Sequence, residues 1–408
     1  MKTNVVVGWV CASAVLIASS MSAWADDNRR IEDLQQENKP QAEGSGASTS
    51  PLTTPAIVGP LTANPNPTRF DAGPLGNLYV TGVVSGLGLL QNNVSAGDRQ
   101  ARVDLSNAQV FIQKTDGLIQ FYVQVGTYSL PALGTPYLRS DQTLRDFYGP
   151  IPQAFIKFAP TDDFSIIAGK LPTLIGAENT FTFQNMNIQR GLLWNQENAV
   201  NRGVQANYKT GALTFALTWN DGYYSNRFNW LWGSVAYAID NANTLSFVAG
   251  GNLGRTGYSN PATPLAQNNS SIYNLIYTYS SGPWIVTPYL QYTSVPANRT
   301  LGIERSASTY GAALLASYAF NSNFRLAGRV EYIASTGRAV DGAPNLLYGP
   351  GSKAWSVTLT PTYQYERFFA RAEVSFIKAI DTVPGFALGP NATKTTQSRL
   401  LLEVGVLY

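Results

Sequence analysis

Histidine is absent from the chain, and the only cysteine is Cys11, close to the first residue. Without histidine the chain lacks the usual general base at neutral pH, and hydrolysis through a serine–histidine pair is excluded. Histidine and cysteine are also the common zinc ligands, so we expect no metal centre of that kind and no other cofactor. These absences argue against an enzyme, and no pair of carboxylates suggests an acidic protease in its place.

Charged residues are scarce, at 13% of the 408 residues, whereas about 25% is usual for a soluble domain. The hydrophobic fraction of 44% is ordinary, and the mean hydropathy of −0.08 is far below that of a helical membrane protein. Low charge with middling hydropathy is typical of strands that turn every second residue toward lipid. The formal net charge of +3 is too small to indicate nucleic-acid binding.

Long apolar runs are also missing, except for VVVGWVCASAVLIASSM near the N-terminus. Lys2 precedes this run, and Ala23-Trp24-Ala25 follows it with the small residues of a cleavage site. We therefore predict a secretory signal peptide over residues 1–25, with an uncleaved helical anchor as the alternative. Since no second apolar run could form a membrane-spanning helix, any insertion after export must use strands.

Residues 26–68 are predicted to be a tail. The segment DDNRRIEDLQQENK could form one or two helical turns, which is too short for a stable coiled coil. The rest is rich in Pro, Ser, Thr and Gly, a composition that is typical of a flexible linker.

From about residue 77 to the end, segments of roughly ten residues alternate apolar and polar positions, which predicts about sixteen strands. The predicted strands are 77–90, 103–114, 118–129, 153–159, 164–171, 202–209, 212–220, 230–239, 245–254, 271–280, 283–294, 308–320, 324–336, 353–365, 368–379 and 398–408.

The connections between these strands alternate in length. Short turns such as Thr115-Asp116-Gly117 and 160–163 alternate with long gaps. The long gaps are 130–152, 172–201, 255–270, 295–307, 337–352 and 380–397. A transmembrane antiparallel up-and-down β-barrel over residues 69–408, with short periplasmic turns and long extracellular loops, predicts this order. Aromatic pairs beside the short turns, such as Phe320 and Phe324, indicate the girdle of such a barrel.

The strand faces separate charge from apolar surface. In the last segment Leu400, Leu402 and Val404 share one face, and Arg399 and Glu403 share the other. Because a basic side chain on the lipid face costs about 2–4 kcal/mol at mid-membrane, we expect the polar faces to line the lumen. The predicted lumenal charges are Lys157, Lys170, Arg325, Arg329, Glu331, Arg371, Glu373, Arg399 and Glu403.

Rings of charged side chains filter ions, and the slight basic excess in this set favours a weak preference for anions. The alternative is that the charges only hold the wall together by pairing with one another, for example Arg329 with Glu331 and Arg371 with Glu373.

The final residues, LLLEVGVLY, resemble the C-terminal signal of outer-membrane barrels, which implies that the barrel-assembly machinery recognises Tyr408. The segments AFIKFAPTDDFSIIAGKLPTLIGAE and QRGLLWNQENAVNRGVQANY resemble bacterial porins, and most of all the family described as putative β-barrel porin-2. The resemblance implies a water-filled channel among outer-membrane lipids that passes small hydrophilic solutes or ions by passive diffusion. It permits a homotrimer as well as a monomer.

In porins of this size the third long loop commonly folds into the lumen and narrows it. The corresponding loop is 172–201, which contains Glu178, Arg190 and Glu197 and departs from the Pro-Glu-Phe-Gly-Gly motif of many general porins. An inward fold is therefore a hypothesis, with a solvent-exposed loop as the alternative. The second functional hypothesis is a non-conducting barrel that acts as a surface anchor or adhesin.

Overall fold

The computed structural model describes residues 61–64 and 66–408. The predicted signal peptide and residues 26–60 of the predicted tail lie outside the described residues. No helix in the described part of the chain is both long and apolar enough to cross a membrane.

The described chain forms seventeen strands in a single antiparallel sheet. In chain order β1 to β17 are Thr68–Asp71, Asn77–Gln91, Ala101–Lys114, Ile119–Tyr128, Gln153–Phe158, Phe164–Pro172, Val200–Thr210, Leu213–Asn220, Trp230–Ala238, Asn243–Asn252, Ser271–Ser281, Trp284–Val295, Ala307–Ala319, Phe324–Ser335, Lys353–Tyr365, Phe368–Ile380 and Thr396–Leu407. The helical pieces are single turns at Gly73–Leu75, Ser140–Gln142, Thr143–Phe147, Thr182–Gln184, Leu193–Gln196, Gln267–Asn269, Arg299–Leu301 and Ala339–Asp341.

Strands β2 to β17 close into a barrel. Each pairs with its neighbours in sequence, and β17 returns to pair with β2, from Arg399 opposite Gln91 to Leu407 opposite Val83. Closure gives every strand two hydrogen-bonded neighbours, which a barrel in lipid requires. The prediction of an antiparallel barrel of about sixteen strands is confirmed.

The short strand β1 was not predicted. It pairs with Asn77–Val80 of β2, on the edge that β17 leaves where it ends. The Thr68 hydroxyl lies 2.7 Å from the phenol oxygen of Tyr408, and Tyr408 exchanges backbone hydrogen bonds with Gly82. Thus β1 prolongs the line of β17 along β2 and brings the start of the barrel against the last residue of the chain.

The two faces of the wall follow the alternation in the sequence. Leu402 and Val404 of β17 are more than half exposed, while Leu401 and Glu403, which alternate with them, are fully buried. Apolar side chains therefore cover the outside, where lipid meets the wall.

An aromatic band crosses the short-turn end of the outside. The rings of Trp284 and Tyr318 lie 4.6 Å apart, Tyr318 and Phe320 follow at 4.9 Å, and Phe320 and Phe324 at 5.4 Å. Amphipathic rings gather at membrane–water boundaries, so this band marks one membrane interface, at the short turns.

Candidate functional site: the loop inside the barrel

The connection between β6 and β7, residues 173–199, lies inside the barrel. Residues 180–194 are all buried, although they belong to no strand. They are covered because they contact inward-facing side chains of strands far away in sequence, on β14, β16 and β17. The loop therefore crosses the lumen, and the solvent-exposed alternative does not describe this structure.

Two carboxylates on the wall accept hydrogen bonds from backbone N–H groups of the loop. Glu373 on β16 accepts from Ile188 and Gln189, the latter at 3.2 Å. Glu331 on β14 accepts from Leu192 at 3.0 Å and from Leu193 at 3.4 Å. A carboxylate that bonds several backbone amides fixes a loop more firmly than neutral groups do, because these hydrogen bonds are charge-assisted.

The wall arginines bind the carbonyl groups of the same loop. Arg371 donates to the carbonyl oxygens of Thr182 and Asn185, each at 2.9 Å. Arg329 donates to the Gln189 carbonyl at 2.8 Å, and Arg399 donates to the Gln189 side chain at 2.9 Å. The basic and acidic side chains of the wall thus act as hydrogen-bond partners for backbone groups of a loop that has no neighbouring strand to pair with.

The three loop residues predicted for a constriction are also held in contacts. Glu178 forms an ion pair with Arg329 and accepts a hydrogen bond from the Gly191 amide at 2.7 Å. Arg190 donates to the Thr180 carbonyl and lies over the Trp194 ring at 5.3 Å. The Tyr289 hydroxyl donates to Glu197.

The prediction that all nine lumenal charges face water in the channel needs two corrections. The first concerns six side chains that face inward as predicted but are at most 2% exposed: Arg329, Glu331, Arg371, Glu373, Arg399 and Glu403. Because the loop covers them, they do not line an aqueous path in this structure; they fasten the loop.

The second correction concerns Lys170, which lies on the opposite face. Lys170 pairs with Ala154 and Arg202 in the register that also pairs Ile156 with Ala168. Ile156 is 60% exposed on the outside, and Ile167, next to Ala168, is buried inside. Lys170 therefore points outward, near the long-loop end of β6, where its amino group donates to the Ile151 carbonyl at 2.9 Å.

The idea that wall charges only pair with one another also holds only in part. Arg329 and Glu331 are 3.1 Å apart, as the alternative predicted. Arg371 pairs instead with Glu403 on the neighbouring strand, at 3.3 Å, and not with Glu373.

A different set of basic side chains faces accessible space. Lys157 and Arg325 are part-exposed on inward faces near short turns. Lys209 is exposed and shares the inward face with Thr214, its partner across the β7–β8 pair. Lys209 was not among the predicted lumenal charges because it is the last residue of the predicted strand 202–209. The alternation of polar and apolar residues could therefore be followed on one side of it only.

Beside these residues runs an open neutral strip. Inward-facing small side chains of β8 to β11 keep part of their surface accessible, and the register places them side by side. They are Thr214, Ala216, Ser234, Ala236, Thr244, Ser246 and Thr278. The loop packs against β12 to β17 and also against β3 and β4, where Phe183 and Phe181 contact Phe111 and Tyr128. Small neutral residues of β8 to β11 face the space that it leaves.

At the long-loop end, Asp98 holds the connection that carries Tyr137, and we call this set of contacts the Asp98 latch. Asp98, between β2 and β3, accepts hydrogen bonds from the Tyr137 amide at 3.0 Å, from Gln91 at 2.9 Å and from Arg102 at 3.0 Å. Burial acts to raise the pKa of Asp98, but these hydrogen bonds outweigh it, so the pKa lies below its ordinary value of 3.8. The carboxylate stays charged and pins the loop that carries Tyr137.

The sequence matches a known porin family. The family described as putative beta-barrel porin-2, OmpL-like, matches residues 77–408. The chain belongs to this family. No curated protein matches. Among the described residues, no group of three or more His, Cys, Asp or Glu side chains is placed to hold a metal ion.

Solved structures of outer-membrane channels share the fold of this porin-family chain. The anion-selective porin from Comamonas acidovorans is 13% identical, with a TM-score of 0.54, and the match covers 81% of this chain and 99% of that one. The outer membrane channel DcaP of Acinetobacter baumannii is 10% identical, with a TM-score of 0.55 and coverage of 81% and 97%. Salmonella typhi OmpF, in complex with daunomycin, is 12% identical, with a TM-score of 0.51 and coverage of 81% and 98%.

Family and fold together place the chain in the bacterial outer membrane and indicate a channel rather than an enzyme.

Proposed function

We propose that the protein is an outer-membrane porin that passes small hydrophilic solutes or ions by passive diffusion. The observation that carries the proposal is the open neutral strip beside the inward loop, because it offers water and solutes a polar surface that the loop does not cover. Passive diffusion needs no cofactor and no catalytic group, so we propose no enzymatic activity.

The proposed path has a weak preference for anions. Lys157, Lys209 and Arg325 face accessible space on the inside, whereas the inward-facing glutamates Glu331 and Glu373 are buried under the loop, as is Glu403. Fixed positive charge near a narrow aqueous path raises the local anion concentration. The preference is weak because these three side chains are few and lie near the short turns.

Conductance of the purified protein in planar bilayers tests the proposal. We expect discrete channel steps and, in a salt gradient, a reversal potential on the anion side. A reversal potential on the cation side would refute the anion preference but not the channel.

The second candidate function is a non-conducting barrel that serves as a surface anchor or adhesin. The observation that favours it is the density of the lumen, where residues 180–194 are buried throughout. Conductance separates the two, since a barrel filled by its loop would show no channel steps.

The biogenesis and assembly of the protein are part of the same proposal. We propose export through a cleaved signal peptide of residues 1–25, recognition of the C-terminal segment with Tyr408 by the barrel-assembly machinery, and a homotrimer among outer-membrane lipids. Tyr408 is half exposed at the end of β17, where its ring is accessible. N-terminal sequencing of the purified protein and its mass in detergent test the cleavage and the assembly.

A further inference from the structure

Residues Leu61–Asn64 lie inside the mouth of the barrel at the short-turn end. Leu61 is 3% exposed and belongs to a cluster of buried apolar side chains that includes Val83, Phe183 and Phe369. Val83 and Phe369 face inward from β2 and β16, and Phe183 belongs to the loop that crosses the lumen. The interpretation of residues 26–68 as a flexible tail is therefore wrong for Leu61–Asn64, which we call the strap.

One side chain of the wall clamps the strap. The Thr62 amide donates to Oε1 of Gln364 at 2.8 Å, and Nε2 of Gln364 donates to the Thr62 carbonyl, also at 2.8 Å. Gln364 lies on the inward face of β15, next to its short turn, and is 8% exposed. Its amide thus pairs with both backbone groups of Thr62, as a neighbouring strand would.

The strap fits closely against the wall and the inward loop. The cavity between Ala63, Asn64, Phe183 and Tyr408 has a volume of about 20 Å³. Such a space holds about one water molecule, so the strap leaves little room between itself and this side of the wall.

The exit of the strap is fixed as well. The Asn64 side chain accepts a hydrogen bond from the Asn66 amide at 3.0 Å and donates to the Asn66 carbonyl at 3.1 Å. Strand β1 then begins at Thr68 and pairs with β2, beside Tyr408. The strap therefore begins beside β15 and leads to β1, which lies beside β2.

We infer that the strap is a closing element of the barrel mouth, and that its release widens the path for solutes. The inference rests on the proposed channel function. Two neutral hydrogen bonds between Gln364 and Thr62, together with one buried leucine, hold the strap, whereas charged groups hold the inward loop. Neutral hydrogen bonds contribute less than charge-assisted ones, so the strap is the more easily opened of the two.

The test uses the full chain in two assays. In the first, Leu61→Cys is treated with a small thiol reagent, and modification of residue 61 is located by mass spectrometry. Leu75→Cys, at a position that is 59% exposed in the same part of the chain, gives the rate of a free site. We expect Cys at position 61 to react much more slowly than Cys at position 75, and to approach that rate when Gln364→Ala is added.

In the second assay, single-channel conductance of Gln364→Ala is compared with that of the unchanged protein. We expect larger conductance steps after the clamp is removed. Gln113→Ala is the matched control, because Gln113 lines the same small cavity but makes no hydrogen bond to the strap.

Each other result overturns the inference. Fast reaction at position 61 without Gln364→Ala would show that the strap is not seated, and continued protection with it would show that Gln364 is not the clamp. Faster reaction with unchanged conductance would show that the strap closes nothing. Absence of conductance in both proteins would refute the porin proposal itself, whereas equal conductance in both refutes only the strap.

Discussion

Arg371 and Glu403 face each other across β16 and β17, with their charged groups 3.3 Å apart and no exposed side-chain surface. The pair is not isolated, because Arg371 also donates to the carbonyls of Thr182 and Asn185, and Glu403 accepts from the Thr182 hydroxyl at 2.7 Å. The Arg371–Glu403 pair of the wall thus holds the inward loop at Thr182 and Asn185.

This pair gives a test of the loop attachment. Arg371→Met leaves the Glu403 charge buried without its partner, and breaking a buried pair in this way costs about 3–5 kcal/mol. We expect a loss of that size in the free energy of unfolding, measured by denaturant titration in detergent micelles. The double variant Arg371→Met with Glu403→Gln should lose less than the single one, because no unpaired charge remains. Equal losses would show that the two charges do not interact.

Ion selectivity should follow the accessible basic residues and not the buried ones. Replacing Lys157, Lys209 and Arg325 together by Gln removes the positive charge that faces open space, so the reversal potential in a salt gradient should move toward cations and lose most of its anion component. Lys170→Gln is the matched control, since Lys170 points outward. A shift caused by the control as large as that caused by the triple variant would contradict the assignment of faces.

The two sides of the wall should differ sharply in their tolerance for charge. Leu402 lies near the middle of β17 and is 56% exposed on the lipid side, so Leu402→Arg should destabilise the barrel by about 2–4 kcal/mol. Thr214→Arg places the same side chain on the open inward strip, where it should be tolerated and should increase anion selectivity. The folded fraction, read from heat-modifiable mobility in gels, compares the two. Equal folding of both variants would argue against a lipid face at Leu402.

The Asp98 latch should resist acid. Since the pKa of Asp98 lies below 3.8 in the folded protein, its contribution to stability is complete above that value and is lost as pH falls through the lower folded pKa. Spin labels at Ser95→Cys and Thr135→Cys should report a narrow distance distribution from neutral pH down to 3.8, and a broad one only below it. Asp98→Asn should remove this transition. Broadening that begins above pH 3.8 would contradict the latch.

The strands could be predicted because their cause is local. Alternation with period two and the short turns determine each hairpin, and β15 runs over 353–365 as predicted. The prediction for Lys170 failed although its strand was right. In β6 apolar residues point both ways, with Ile166 outside and Ile167 inside, so charge was the only guide to the face.

The partners of the wall charges could not be predicted from spacing along one strand. Arg371 and Glu373 share a face but lie two residues apart, roughly 6.6 Å along the strand. Glu403 lies directly opposite Arg371, at the shorter distance of a cross-strand pair. That register depends on strands that the sequence alone does not align, and the contacts with the inward loop join residues separated by nearly half the chain.

The attachment of the inward loop also sets an order of events during assembly. The loop lies between β6 and β7, but the side chains that hold it stand on β14, β16 and β17, which are synthesised later. Glu403 and Arg399 belong to the same strand that closes the seam with β2. The attachment of the segment in the lumen is therefore completed only when the last hairpin arrives, so the last contacts of the interior form together with the seam of the cylinder.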